Sequence, residues 1–258
     1  MTLPRLPRSG PLLVAVVLLV TCGAASASAA GLNLAWSECL GAGGLPNRSF
    51  ACNTNAGSSI LVASFDPPSG ITRLIGGSAT IDLATPIPLP PWWQLGPGGC
   101  REGALHLDFA PAPGQGCVDY WSASATGSYS YQAGFGQPRV ARIRLSWGIP
   151  EALGGAVYPG TEYYAFRLVI NNSKTVGSDF CSDCLLPACM VLRSVWLYQP
   201  PGLGDHLICE PLISHAAFFQ GGNVPGCSGA DYQPPPPPDC AATPVIRRTW
   251  GLIKGLYR

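Results

Sequence analysis

Three cysteines, Cys181, Cys184 and Cys189, separate two runs that alternate as β-strands do. TEYYAFRLVINN precedes them and MVLRSVWLYQ follows. In the first run Tyr164, Phe166, Leu168 and Ile170 share one side. In the second, Val191, Arg193, Val195, Leu197 and Gln199 alternate against Leu192, Ser194, Trp196 and Tyr198. The most economical reading pairs the two runs antiparallel, with the cysteines pinning connection 172–189 and offsetting its closure entropy. A chain carrying 32 glycines and 27 prolines in 258 residues has little room for long helices. Its 47% hydrophobic content is too high for a disordered chain. An all-β body follows.

Other strands are read from the same signals. Ser59 to Phe65 ends at the turn Asp66-Pro67-Pro68-Ser69-Gly70. Ile71 to Ala84 holds two short runs around Gly76-Gly77, the mark of a bulge or bend in a single strand or else of a hairpin, and Ala79, Ile81 and Leu83 define one buried face. Prolines 86, 88, 90 and 91 make the next segment a crossing loop, because proline donates no ladder hydrogen bond. Ala104 to Phe109 is a strand with His106 and Asp108 on its polar side. Val140 to Trp147 alternates cleanly and puts Arg142 and Arg144 on a wet face. Leu207 to Glu210 and Ile213 to Gln220 complete eight to ten short strands. The fold expected is a two-sheet antiparallel β-sandwich, jelly-roll-like and stapled by disulfides.

The ends point outside the cytoplasm. Arg5 and Arg8 precede the apolar run Leu12 to Val20 and the small residues Ala24 to Ala30, the layout of a secretory signal peptide cleaved after Ala29 or Ala30. The apolar run is about half of the roughly 20 residues that a membrane span needs. Cys22 offers a lipoprotein alternative, although Thr21 precedes it where a small residue is usual. Ten cysteines then remain: Cys39, Cys52, Cys100, Cys117, Cys181, Cys184, Cys189, Cys209, Cys227 and Cys240. An even count in an exported chain implies a disulfide framework. Proximity suggests Cys39 with Cys52, Cys100 with Cys117, and Cys227 with Cys240. The parts are thus a signal peptide over 1–29, the sandwich over 30–228, a proline-rich linker over 229–242 and a basic tail over 243–258. Pro234 to Pro238 form a polyproline spacer of about 15 Å at 3.1 Å per residue. In the tail Thr249 can cap a short amphipathic helix bearing Trp250, Ile253, Lys254, Tyr257 and Arg258, weakened by Gly251 and Gly255. Such a helix needs a surface to bind.

Charge excludes one class of partner. Between Gly31 and Asp239 nine basic side chains face fourteen acids, whereas the tail beyond is purely basic. No basic field covers the body, so nucleic acid is not expected as a partner. The C-x2-C-x4-C spacing, with His206, Cys209 and His215 downstream, raises zinc. The missing second C-x2-C pair and the oxidising compartment favour disulfides, and no metal or other cofactor is expected. A redox pair would need a helix N-terminus, which Leu-Leu-Pro does not open.

Trp92, Trp93, Tyr120, Trp121, Tyr129 and Tyr131 are the candidate binding residues, since aromatics on loops or one sheet face can stack on sugars or anchor a protein. Core packing is the competing explanation for them. No nucleophile elbow, HExxH or phosphate loop is present. A secreted hydrolase would have to draw its acid and base from His106, Asp108, Asp119 or His215, brought into one cleft.

The string TWGLIKGLYR after a proline-rich spacer, together with PWW, CREGAL and CSDCLLPACMVL, resembles exported bacterial proteins whose cysteine-rich body ends in a short Trp-Gly-x-Ile-Lys-x-x-Tyr-Arg-like tail. The resemblance implies export and a shared C-terminal address, and no enzymology. The expected function is therefore a non-enzymatic exported sandwich that binds a glycan or protein outside the cytoplasm or serves in the cell envelope. A carbohydrate-binding module using Trp92, Trp93 and Trp121 is one alternative and the hydrolase another.

Overall fold

Eleven strands pass between two sheets in the computed structural model, which describes residues 31–111, 114, 116–209 and 216–220. They are β1 (Gly31–Trp36), β2 (Asn47–Arg48), β3 (Ser58–Asp66), β4 (Gly76–Ala84), β5 (Leu105–Asp108), β6 (Thr126–Ala133), β7 (Val140–Gly148), β8 (Tyr163–Asn171), β9 (Ala188–Tyr198), β10 (His206–Cys209) and β11 (Ala216–Phe219). The smaller sheet is ordered β1-β3-β8-β5 and the larger β2-β11-β9-β4-β7-β6, with β10 also pairing β9. Strand pairing is antiparallel except for the two-residue contact of β11 with β2. The expected all-β, two-sheet sandwich is what the chain forms. The signal peptide with Cys22, His215, the Cys227–Cys240 pairing, the proline run and the tail residues Trp250, Ile253, Lys254, Tyr257 and Arg258 lie outside the described residues.

Alternation builds the core. Leu61, Phe166, Leu168 and Ile170 of the smaller sheet meet Ile81, Leu83, Ile143, Leu145, Leu192 and Val195 of the larger one in a single buried cluster. Each such side chain contributes about 1.5–3 kcal/mol on full burial. Among the described residues helical structure is confined to 3-10 turns at Leu40–Ala42, Pro91–Trp93 and Glu151–Leu153, and no helix is long and apolar enough to cross a membrane.

The structure departs from the sequence reading in several places. The runs flanking the three cysteines do not pair: β8 lies between β3 and β5, whereas β9 lies against β4 in the other sheet. Connection 172–187 therefore crosses from one sheet to the other. Periodicity tells which side of a strand is buried but not which strand sits beside it. Gly76-Gly77 marks neither hairpin nor bulge but the start of β4. Gly77 lies under Trp147, whose ring would be 2.8 Å from an added Cβ. The real irregularity falls between Thr80 and Ile81, where Thr80 pairs with Ser194 and Ile81 with Leu192. Arg193 is the extra residue of this bulge, so Met190 and Leu192 face the core before it and Val195 and Leu197 after it. The simple alternation expected across β9 is thus broken in phase. β6 had no strand expectation, because Ser, Gly and Gln replace the usual apolar residues along this exposed edge.

Three disulfides join segments far apart in sequence: Cys39–Cys117, Cys52–Cys184 and Cys100–Cys181. The expected Cys39–Cys52 and Cys100–Cys117 pairs are both wrong, since the sandwich brings distant loops together at its ends and proximity along the chain does not. Cys189 and Cys209 are disulfide-bonded as well. Cys181 and Cys184 thus go to different partners and form neither a zinc pair nor a redox pair.

Candidate binding face

Core packing, and not an exposed platform, accounts for the candidate tryptophans. Trp92 and Trp93 are 0% exposed and Trp121 is 1% exposed. Pro91–Trp93 is a 3-10 turn that closes one end of the core, where Phe50, Trp92, Trp93 and Phe219 pack ring against ring. Behind Trp92 lies the fully buried Arg101, its guanidinium 3.7 Å from the ring centroid. Arg101 donates to the carbonyls of Trp92, Ser173 and Asn171. Desolvation lowers its pKa from the ordinary 12.5 to about 10, so it keeps its charge at neutral pH without a carboxylate. Trp121 donates to the Tyr164 carbonyl at 2.8 Å. These tryptophans are core, which corrects their assignment to a ligand surface.

The half-buried tyrosines are braces. Tyr129 and Tyr131 alternate inward from β6 beside Leu145 and Ile143. Tyr129 donates to the Leu105 carbonyl on the facing sheet at 2.6 Å, and Tyr131 donates to the Trp93 carbonyl. Tyr120 bonds the Leu74 and Gly155 carbonyls and accepts from the Gly155 N–H. Burial raises the pKa of all three. Each hydroxyl is committed to main chain rather than offered to a ligand.

Nor do the candidate acids and bases converge. Asp108 pairs with Arg167 and accepts from the Ala110 N–H. Burial alone would raise its pKa, but the bonds from Arg167 and Ala110 outweigh it and hold the carboxyl below its ordinary value. His106 Nε2 meets Asn171 Nδ2 at 3.3 Å, and Asp119 accepts the Trp121 and Ser122 N–H groups in a local turn. Among the described residues no hydrogen bond joins any two of His106, Asp108 and Asp119.

The outer face of the larger sheet is different. There β6, β7, β4 and β9 align side chains in rows set by register. One row reads Ser128, Ser146, Ser78 and Trp196, and the next reads Ser130, Arg144, Thr80 and Ser194. A third reads Gln132, Arg142, Asp82 and Val191. The β6, β7 and β4 members of the first two rows line a shallow cleft of about 370 Å³, with Ser78, Thr80, Ser128, Ser130, Arg144 and Ser146 at its surface. Ser128, Ser130, Arg144 and Ser146 are exposed. The Ser78 hydroxyl meets the Tyr198 hydroxyl at 2.7 Å, fixing the β9 side of the cleft.

Beside the cleft the wet face expected for β7 gives way to a buried ion pair. Arg142 grips Asp82 with two bonds of 2.7 Å, and Arg193 Nε lies 3.6 Å from the same carboxylate. Phe135 covers Arg142 at 3.8 Å. Arg144 is exposed as expected and makes no ion pair among the described residues. This face was missed because Ser and Thr between apolar residues read only as a solvated side. Arg142 and Arg144 were the sole signal, and which strands lie beside β7 is not written in β7.

No protein-family model matches the sequence, and no curated protein matches it. Among solved structures the chain is similar to a type II cohesin domain from the cellulosome of Acetivibrio cellulolyticus, with 8% identity, a TM-score of 0.33 and coverage of 74% of this chain and 95% of that one. It is also similar to the second type II cohesin module of the adaptor ScaA scaffoldin of Acetivibrio cellulolyticus, with 10% identity, a TM-score of 0.30 and coverage of 66% and 80%.

Proposed function

We propose that this is an exported, non-catalytic binding module that presents the outer face of its larger sheet to a ligand at the cell envelope or outside the cell. The observation that carries the reading is the hydroxyl-lined cleft of about 370 Å³ with exposed Arg144 at its centre. A volume in this range suits a small ligand or one or two units of a polymer. Export is supported by the disulfides, which persist in oxidising compartments. A binding role rather than hydrolysis is supported by the commitment of Asp108 to Arg167 and of Asp119 to a turn.

The test is to fill the cleft. Ser146→Tyr adds a ring at an exposed position in the middle strand of the rows without touching the core. Wild type and variant, matched for folding by circular dichroism, are compared on immobilised neutral and acidic polysaccharides and on washed envelope fragments. Binding by the wild type and its loss in Ser146→Tyr is the expected result. Equal binding by both overturns the assignment to this face.

The basic tail belongs to the same proposal as a docking or sorting element, with Trp250, Ile253 and Tyr257 as its apolar contacts and Lys254 and Arg258 as its charges. Fusing residues 234–258 to an inert exported reporter tests it. Retention at the surface is expected, and an unchanged location overturns it.

A further inference from the structure

Resting on that reading of the sheet face, we infer that its ligand is an acidic polysaccharide, a glycan chain bearing carboxylate or sulfate groups, laid across the strands with an anionic group at Arg144. Charge complementarity is the first argument. The body as a whole is acidic, with nine basic side chains against fourteen acids. The cleft is the reverse: Asp82 lies at its margin with its carboxylate taken by Arg142, and Arg193 lies 3.6 Å from that carboxylate. Arg144 stands beside them with no ion pair among the described residues and its guanidinium 5.5 Å from the Phe135 ring. A guanidinium held this way offers a planar fork of donors that suits a carboxylate or a sulfate.

The rows supply the second argument. Ser128, Ser146 and Ser78 stand in line on adjacent strands, about 4.8 Å apart as strand pairing dictates. That spacing is comparable to the advance per residue of an extended pyranose chain. A hydroxyl both donates and accepts, so Ser128 and Ser146 can meet sugar hydroxyls in either sense, while Ser78 shares its hydroxyl with Tyr198. The row ends at Trp196, a half-buried indole pointing outward between the core residues Val195 and Leu197, where a sugar ring can stack. The parallel row brings Ser130 and Thr80 on either side of Arg144.

These features favour a glycan over an acidic peptide. An extended peptide is recognised by adding to an open sheet edge or by seating side chains in apolar pockets. Here the rows cross the middle strands β4 and β7, whose ladders are filled on both sides, and hydroxyls and Arg144 rather than deep apolar pockets supply the contacts of the cleft.

The mature protein, Arg144→Gln and Ser146→Tyr are titrated with polygalacturonate, dextran sulfate, neutral dextran and poly-glutamate, each at two ionic strengths. The expected result is binding to an acidic glycan that weakens with salt, weakens about tenfold or more in Arg144→Gln and vanishes in Ser146→Tyr. Binding confined to one acidic glycan names carboxylate or sulfate as the group recognised. Binding to dextran that is indifferent to salt and to Arg144→Gln but lost in Ser146→Tyr overturns the acidic ligand while the face stands. Equal binding of poly-glutamate overturns the glycan. Binding that survives Ser146→Tyr, or none to any probe, overturns the inference together with the face.

Discussion

Arg142 and Asp82 meet side by side on neighbouring strands, Nε to Oδ1 and Nη2 to Oδ2, each at 2.7 Å, with both side chains buried and the ring of Phe135 over Arg142. The pair lies on the same outer face as the proposed binding cleft, in the row next to it. It joins β4 to β7, while the bulge in β9 brings Arg193 to the same carboxylate. Bidentate geometry offsets much of the desolvation such a pair suffers, and removing one partner leaves the other charged and buried.

Asp82→Ala is therefore expected to destabilise the protein by about 3–5 kcal/mol, as the buried Arg142 guanidinium loses its counter-charge. The double variant Asp82→Leu/Arg142→Met should regain most of that loss. Urea unfolding of the two variants measures both effects, and a single-variant loss below about 1 kcal/mol would show that the pair contributes little.

Arg101 holds the opposite end of the core through three carbonyls and one indole face. Arg101→Met keeps most of the volume but strands the Trp92, Ser173 and Asn171 carbonyls. A loss of at least about 3 kcal/mol is expected, since each orphaned buried acceptor costs about 1–3 kcal/mol. Thermal unfolding checks it.

Cys100–Cys181 and Cys52–Cys184 both anchor connection 172–187, and their closed loops are long. Removing the first as Cys100→Ser/Cys181→Ser should cost about 2–5 kcal/mol. It should also open new cleavage sites within 172–187, where Phe180 and Leu185 are already exposed. Limited proteolysis followed by mass spectrometry locates the cuts. Cleavage elsewhere first would show that another segment is held less firmly.

Burial sets the alkaline limit through the tyrosines. Desolvation raises Tyr120, Tyr129, Tyr131 and Tyr164 above the ordinary value of 10. The folded state therefore holds protons that the unfolded state releases. The stability they contribute is intact below pH 10 and is lost as pH rises above it toward the folded values. Tyrosinate absorbance should show these groups ionising late and together with unfolding, rather than along an ordinary curve centred near 10.

Trp92→Ala and Trp121→Ala test the corrected role of the loop aromatics. Each should cost about 3–5 kcal/mol of stability, the range for emptying a large core site, and leave ligand binding unchanged in whatever fraction folds. Tryptophan emission should be blue-shifted with a fraction unreachable by acrylamide, since Trp36, Trp92, Trp93 and Trp121 are buried. Full quenching would contradict this packing.

What the sequence determined by itself is local. Period-two alternation put Leu168 and Ile170, or Ile143 and Leu145, on one side of a strand, and Gly and Pro placed the turns, so strand existence and the all-β class were legible. An even set of cysteines implied bridges. What lay beyond local reading was decided by neighbours in space. Cys100 found Cys181 instead of Cys117 because the two sheets bring those loops together. Arg142 left solvent because β4 offers Asp82 beside it. The serines of β6, β7 and β4 became a surface only when register aligned them. Alternation fixes which way a side chain points relative to its own backbone. Which groups it meets depends on strand order, register and one bulge, set by the packing of the whole core.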